Sequence, residues 1–411
     1  MTPWEGAEDA AGEVAGQIVG PVLVERVAHG GHAVARYEGR VIFVRGALPG
    51  EQVMVLVTDT SKSQFWRGEV VEVLVASSDR VDPPCPVAGV CGGCDLQHVS
   101  AEGQLRWKTS VLAEQLSRLA GITWDGEVEQ VGDLTGWRTR LDLRVDPAGR
   151  VGLLGHRSHE LVPLPEQGCL IAHEALRDGG LTSSLAHFWE ARFGRARFGA
   201  GGEDLTEVRL AVGDDGVSAA VDGEVVDGPA LVRHRVLGRE FRVHPSGFWQ
   251  VHPRAAELLS TLVLEGLEPR AGETALDLYS GVGLFSGALV DRGVRVTGVE
   301  INKQAVARAR LNVPEARFIA APLERALGRL PRRVDLVVLD PARQGAGKQV
   351  VKHVAGLGAR AIVHIGCDPA AFARDLGLFA AQGWSPEWIR GFDLFGMTQH
   401  FESVALLTHE R

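Results

Sequence analysis

The sequence is short of several things that would have placed it quickly. It has no basic excess: 43 Lys and Arg stand against 52 Asp and Glu, for a net charge of −9. An overall basic balance is the usual footprint of a nucleic-acid partner, so composition alone argues against one. No long apolar run is present. The longest uncharged stretch, Leu278 to Val290, is interrupted by glycines and serines, too short and too polar for a membrane helix. The first residues are acidic (Glu5, Glu8, Asp9, Glu13) rather than basic and then apolar, which excludes a secretory signal of the usual form. A cytoplasmic protein without membrane contact is expected. Five cysteines in 411 residues do not make a disulfide framework. Internal repeats are lacking too.

What is present reads as several domains, given the length. After an acidic tail over residues 1–15, residues 16–76 carry five short Val-rich stretches, Gln17–Arg26, Ala33–Tyr37, Val41–Val44, Gln52–Thr58 and Trp66–Val75. Gly30-Gly31, Glu38-Gly39 and Pro49-Gly50 mark turns between them. Five strands in about 60 residues predict a small β-barrel of the kind that includes oligonucleotide binders. A β-rich central region over 77–250 follows, with a helix expected from Ala101 to Leu119. Over 251–411 the pattern changes to alternating strands and helices. Strands are expected at Thr274–Leu278, Arg295–Glu300, Ala316–Ala320, Val334–Leu339 and Ala361–Ile365, with closing strands near Ile389–Leu394 and Glu402–Thr408. This alternation predicts a mostly parallel sheet covered on both faces.

Three groups of residues carry chemistry. The first is Asp277-Leu278-Tyr279-Ser280-Gly281-Val282-Gly283-Leu284-Phe285, a Gly-rich turn between a strand and a helix, with Glu300 at the end of the next strand. A carboxylate some 20 residues beyond such a loop is placed to accept ribose hydroxyls. The loop has two glycines and a strand-end acid rather than GxGxxG, which favours a methyl-donor site over a dinucleotide site. Asp340, in Asp340-Pro341-Ala342-Arg343, ends another expected strand in the same ligand crevice, where an Asp also serves as a helix cap.

The second group is Cys367, in Gly366-Cys367-Asp368-Pro369, with Glu402 near the end of the chain. A buried structural thiol is the plain alternative. Beside a methyl donor, a thiolate has a specific use: adding to C6 of uracil makes C5 nucleophilic, and a base must later remove the C5 proton. A helix starting near Pro369 is expected to depress the thiol pKa. The third group is Cys85, Cys91 and Cys94 with a remote Cys169. Four thiolates suit zinc or an iron–sulfur cluster. A trio plus one distant ligand, with a single CxxC, favours the cluster.

Taken in order, these motifs resemble the RNA uracil-5-methyltransferase family over nearly the whole chain, together with Phe248-Trp249-Gln250-Val251 and His400-Phe401-Glu402-Ser403-Val404. The resemblance implies an α/β multidomain fold: a TRAM barrel (OB-like), a central domain with an iron–sulfur motif, and a C-terminal Rossmann-like class I methyltransferase domain. It implies that Gln250, Tyr279, Glu300 and Asp340 contact S-adenosylmethionine. Cys367 would be the nucleophile and Glu402 the proton acceptor. Cys85, Cys91, Cys94 and Cys169 would hold a [4Fe-4S] cluster. The implied partner is structured RNA. Having both barrel and cluster motif is closest to the branch that acts on large-subunit rRNA, with tRNA as the alternative. A monomer is expected. Against these stand a non-catalytic RNA-binding iron–sulfur protein and a small-molecule C-methyltransferase.

The chain departs from the family pattern at Ala342 (usually Pro), Gly366 (usually Ser), Asp368 (usually Asn) and His252 (usually Asn), which bears on substrate choice. The acidic balance is local. Residues 1–15 carry four acids and no Lys or Arg, and residues 201–230 carry eight acids and one Arg, leaving +2 for the rest. Arg138, Arg140, Arg144, Arg150 and Arg157 form one basic group, and Arg325, Arg329, Arg332 and Arg333 another. Both are candidates for an RNA-facing surface.

Overall fold

The computed structural model describes residues 14–177 and 205–409. Most of the acidic tail and the start of the acidic 201–230 stretch lie outside them. No helix among the described residues is long and apolar enough to cross a membrane.

The first domain is a closed barrel of β1 (Ile18–Ala28), β2 (His32–Tyr37), β3 (Arg40–Arg45), β4 (Gln52–Lys62) and β5 (Phe65–Val75), in the order β1-β2-β3-β5-β4. Alternation sends Val24, Ala33, Ala35, Ile42, Val44, Val53, Val55 and Val57 inward, where all are buried. The five expected strands are all present; β1 begins one residue later and runs two further, β3 is longer at both ends, and β2, β4 and β5 are longer at one end. Closure comes from β3 and β5, which pair in parallel.

Next come helix α1 (Ala101–Ala120), capped by the Ser100 side chain accepting from Gly103 N, and a short strand β6 (Val128–Gln130). The central sheet is formed by β7 (Arg140–Val145), β8 (Val151–Leu154), β9 (Leu161–Pro163), β10 (Thr206–Gly213), β11 (Gly216–Val221) and β12 (Glu224–Asp227). Its order is β12-β11-β10-β7-β8-β9, beside a separate hairpin of β13 (Val232–Val236) and β14 (Arg239–Val243).

The C-terminal sheet opens after α2 (Ala255–Leu267). It comprises β15 (Thr274–Leu278), β16 (Arg295–Glu300), β17 (Arg317–Ala320), β18 (Leu336–Leu339), β19 (Ala361–Gly366), β20 (Trp384–Asp393) and β21 (Glu402–His409). Between the strands lie α3 (Leu284–Val290), α4 (Lys303–Asn312), α5 (Leu323–Ala326), α6 (Gly347–Ala355) and α7 (Pro369–Ala380). The order is β17-β16-β15-β18-β19-β21-β20-β6. The first five strands run parallel and β21 runs antiparallel to β19. The strand sequence reverses between β15 and β18, the crevice where ligands bind in open α/β sheets.

Strand β6 adds an unexpected eighth strand. It pairs in parallel with β20, Val128 opposite Gly391. α1 joins the same unit: its Trp107, Val111, Leu112 and Leu116 share one buried core with Phe372, Leu376 and Phe379 of α7. Residues 101–130, read from sequence as central, therefore complete the C-terminal layer.

Candidate active site

The Gly-rich loop leaves β15 with Tyr279 in the left-handed region (φ 68°). Ser280 N donates to Val299 O at 3.0 Å and Gly283 N to Ser280 O at 2.8 Å, closing a tight turn against β16. Gly283 has φ 94°, and a Cβ there would lie 3.1 Å from Val313 and 3.3 Å from Phe318. Only glycine combines that backbone with that approach. Asp277, fully buried, accepts from Ser286 N (2.9 Å) and Ser286 Oγ (2.6 Å), tying the strand to the first turn of α3. Burial pushes Asp277 up to about 6.

Glu300 stands at the end of β16. Its carboxylate accepts from Gly281 N at 3.1 Å and from Asn302 N at 2.7 Å. Tyr279 and Glu300 thus flank one loop, as the spacing led us to expect. Gln250 is buried before α2, and its neighbour Trp249 stacks on His234 at 4.7 Å.

Asp340 leaves the end of β18, its N–H donating to Leu278 O at 3.3 Å. Burial, and then the Asp277 charge, pushes its carboxyl up to about 7. The Cys367–Glu402 relation follows from strand register. β19 and β21 pair antiparallel with Gly366 opposite Ser403. One step further along that register sets Cys367 opposite Glu402. Glu402 is buried, and its Oε2 has no hydrogen-bond partner. Burial and the Asp340 charge push it well up, while Arg343 opposes.

The thiol behaves contrary to expectation. Burial pushes Cys367 up to about 12, the Glu402 and Asp340 charges add to this, and Arg343 pulls the other way. The helix expected to depress it does begin at Pro369, but Asp368 caps that N-terminus, accepting from Ala371 N at 2.8 Å. Desolvation and two carboxylates outweigh the helix end. Sequence reasoning missed this because none of those neighbours is local in the chain. Arg343, quoted only as part of a motif, stands out as the cation that acts on both Cys367 and Glu402. Its guanidinium lies 3.5 Å from His400 Nε2.

Cys85, Cys91, Cys94 and Cys169 line one cavity together with Leu153, Leu164 and Leu170. Burial raises the Cys91 and Cys169 thiols and pushes Cys94 up to about 12; each also responds to neighbouring cysteines. No group of three His, Cys, Asp or Glu side chains among the described residues is set to hold a metal ion. The segment also braces the approach to Glu402. Asp95 N and Leu96 N both donate to Met397 O (3.0 and 2.9 Å), and Gln104 Oε1 accepts from Met397 N at 2.8 Å. Beneath that loop lies a buried ion pair, Lys108 Nζ to Asp393 Oδ1 at 2.6 Å.

The first arginine group is not one exposed face, since Arg150 and Arg157 are exposed while Arg140 is not. Arg140 is buried and donates to the carbonyls of Pro245 (3.0 Å) and Gly247 (2.9 Å). Arg144 pairs with Glu207 and Arg150 with Asp146, and Arg138 acts on the Cys91 and Cys169 thiols. β-pairing with β10 supplied Glu207, which lies far away in sequence. Arg325, Arg329, Arg332 and Arg333 are all exposed and make no ion pair among the described residues.

The chain thus joins a closed five-stranded barrel to a largely parallel α/β sheet with a Gly-rich crevice and a strand-end acid. The TRAM domain family matches residues 16–75. A Streptomyces avermitilis protein named as an uncharacterized RNA methyltransferase is 44% identical over 94% of this chain and 97% of its own length. The chain belongs to this RNA methyltransferase family. A Vibrio vulnificus relative, named 23S rRNA (uracil(1939)-C(5))-methyltransferase RlmD, is 29% identical over 94% of this chain and 95% of its own. Among solved structures, the Pyrococcus abyssi tRNA (uracil-54, C5)-methyltransferase, in complex with S-adenosyl-L-homocysteine, has the same fold. It aligns with a TM-score of 0.70 at 23% identity, over 94% of this chain and 99% of that one.

Proposed function

We propose that this enzyme transfers the methyl group of S-adenosylmethionine to C5 of a uridine in structured RNA, with large-subunit rRNA as the first candidate. The observation that supports the reading is the β19–β21 pairing, which ends at Gly366 opposite Ser403, one step short of Cys367 and Glu402, with the Glu402 and Asp340 charges acting on the Cys367 thiol. Gln250, Tyr279, Glu300 and Asp340 would contact the donor, with Glu300 at its ribose hydroxyls.

The target uridine leaves its stack to reach the crevice. The Cys367 thiol gives up its proton to solvent water and the thiolate bonds to C6, leaving C5 enolate-like. C5 takes the methyl group and the donor leaves as the neutral thioether. The C5 proton passes to the Glu402 carboxylate, the C6–S bond breaks, and Cys367 returns as thiolate. Burial keeps the free enzyme's thiol protonated, so ionisation belongs to the RNA-bound state, with Arg343 the nearby cation that favours it.

Cys85, Cys91, Cys94 and Cys169 fit a [4Fe-4S] cluster in donor type and in sharing one cavity. When bound, the cluster would supply a cross-link between residues 85–94 and 169, steadying the segment that holds Met397. A monomeric, cytoplasmic enzyme completes the reading, with the 16–75 barrel gripping RNA, a central domain within 77–250, and a catalytic domain over 251–411 that also takes up residues 101–130.

The test uses total RNA from a strain lacking the gene, which carries the unmethylated target whichever RNA it is. The purified enzyme should restore one 5-methyluridine, located by mass mapping in rRNA or in tRNA. Cys367→Ala should restore none while still binding the donor. Glu402→Gln should accumulate a covalent protein–RNA complex. Full turnover by Cys367→Ala would sink the mechanism.

A further inference from the structure

The turn between β1 and β2 of the barrel reaches Asp368, the residue after Cys367. Gly30 and Gly31 both take positive φ (95° and 74°), turning the chain so that the tip meets two other segments. A Cβ on Gly31 would lie 3.3 Å from Asp95 Cβ and 3.5 Å from Gln399 Cβ. The turn is therefore wedged between the cysteine-motif segment and the loop that leads to Glu402. The barrel is tied down a second time by Arg26, whose guanidinium meets Glu114 of α1 at 2.7 Å.

At the same turn His29 Nε2 lies 3.1 Å from Asp368 Oδ2. Asp368 directly follows Cys367, and its other oxygen accepts from Ala371 N at 2.8 Å. Each carboxylate oxygen thus has its own partner, one in α7 and one in the barrel. A carboxylate only accepts, so His29 Nε2 donates. Burial acts to raise Asp368, yet the His29 ring and the Ala371 N–H hold it below the usual carboxylate range.

We propose that His29 is a positioning residue: through Asp368 it fixes the Gly366–Asp368 segment, so that methyl transfer depends on the barrel being docked and not only on the barrel holding RNA. The inference rests on the uridine-methylation reading. Its test therefore includes a measurement that does not.

The experiment compares His29→Ala and His29→Gln with the intact protein. The amide of Gln retains a donor at that position. Methyl transfer from labelled S-adenosylmethionine to total RNA of the deletion strain gives kcat and KM. Peptide-resolved iodoacetamide labelling gives the reactivity of Cys367 without RNA or donor. We expect His29→Ala to lower kcat at least tenfold with KM changed less than twofold, and to speed Cys367 labelling at least threefold. His29→Gln should stay within threefold of the intact protein in both. A loss expressed in KM alone would make His29 an RNA contact and overturn the proposal, as would equal impairment by both variants. Should the intact protein transfer no methyl group, the function reading fails by itself. Unchanged Cys367 labelling in His29→Ala would then still overturn the positioning role.

Discussion

Cys367 should be a slow thiol in the free enzyme. Burial, with the Glu402 and Asp340 charges, moves it from an ordinary 9.0 to about 12. At pH 8 the thiolate share then falls on the order of a thousandfold relative to an unperturbed cysteine. A more basic thiolate is a better nucleophile; a Brønsted slope near 0.4–0.5 over those three units returns roughly 20–30-fold. The net expectation is alkylation about 30–60-fold slower than a cysteine in a short unstructured peptide. The assay is iodoacetamide labelling across pH 7–10.5, read on the Cys367 peptide by mass spectrometry. Its rate should climb tenfold per pH unit across the whole range without levelling. Glu402→Gln removes a charge that opposes ionisation, so labelling should quicken. It should remain slower than the peptide, because desolvation is the largest cause. A plateau below pH 9, or labelling faster than the peptide, would refute this account of the site.

Replacing Lys108 with Met should destabilise the protein by about 3–5 kcal/mol in urea unfolding, because it strands a buried charge. Asp393 would keep only the Phe395 N–H at 3.0 Å, and its Oδ2 has no partner already. Adding Asp393→Asn should recover part of the loss. Glu300→Ala should weaken S-adenosylmethionine binding about 10–100-fold by calorimetry, the range for hydrogen bonds to a charged group, with folding unchanged by circular dichroism. Arg329→Glu with Arg332→Glu should weaken RNA binding most at low salt. The slope of log affinity against log salt should shrink by about one to two units. An unchanged slope would remove these arginines from the RNA surface.

The barrel and the parallel sheet were legible because their signals are local. Val alternation and paired turn residues mark each barrel strand, and short apolar runs ending in Asp277, Glu300 and Asp340 mark the sheet. Strand β6 was not legible: three residues, Val128-Glu129-Gln130, carry no periodicity and earn strand geometry only by pairing with Gly391–Asp393. The site divides in the same way. The Gly-rich loop and Glu300 lie within one βαβ unit and could be read together. The environment of Cys367 could not, since His29, the Asp340–Arg343 segment and Glu402 come from three separate stretches. Arg140 shows the converse, a residue read as surface charge that the fold uses to satisfy buried carbonyls.

Strand β6 also bears on how the chain is made. Its partner lies some 260 residues downstream, at Gly391. During synthesis residues 101–130 leave the ribosome well before β20 exists. α1 then carries Trp107, Leu112 and Leu116 before Phe372, Leu376 and Phe379 of α7 exist to complete their core. The last layer of the sheet waits for nearly the whole polypeptide, and such distant pairing is slow to form. An early nascent chain is thus a species that invites chaperone capture. Cutting the gene near codon 250 to obtain the catalytic half would leave the β20 edge bare, a template for edge-to-edge aggregation.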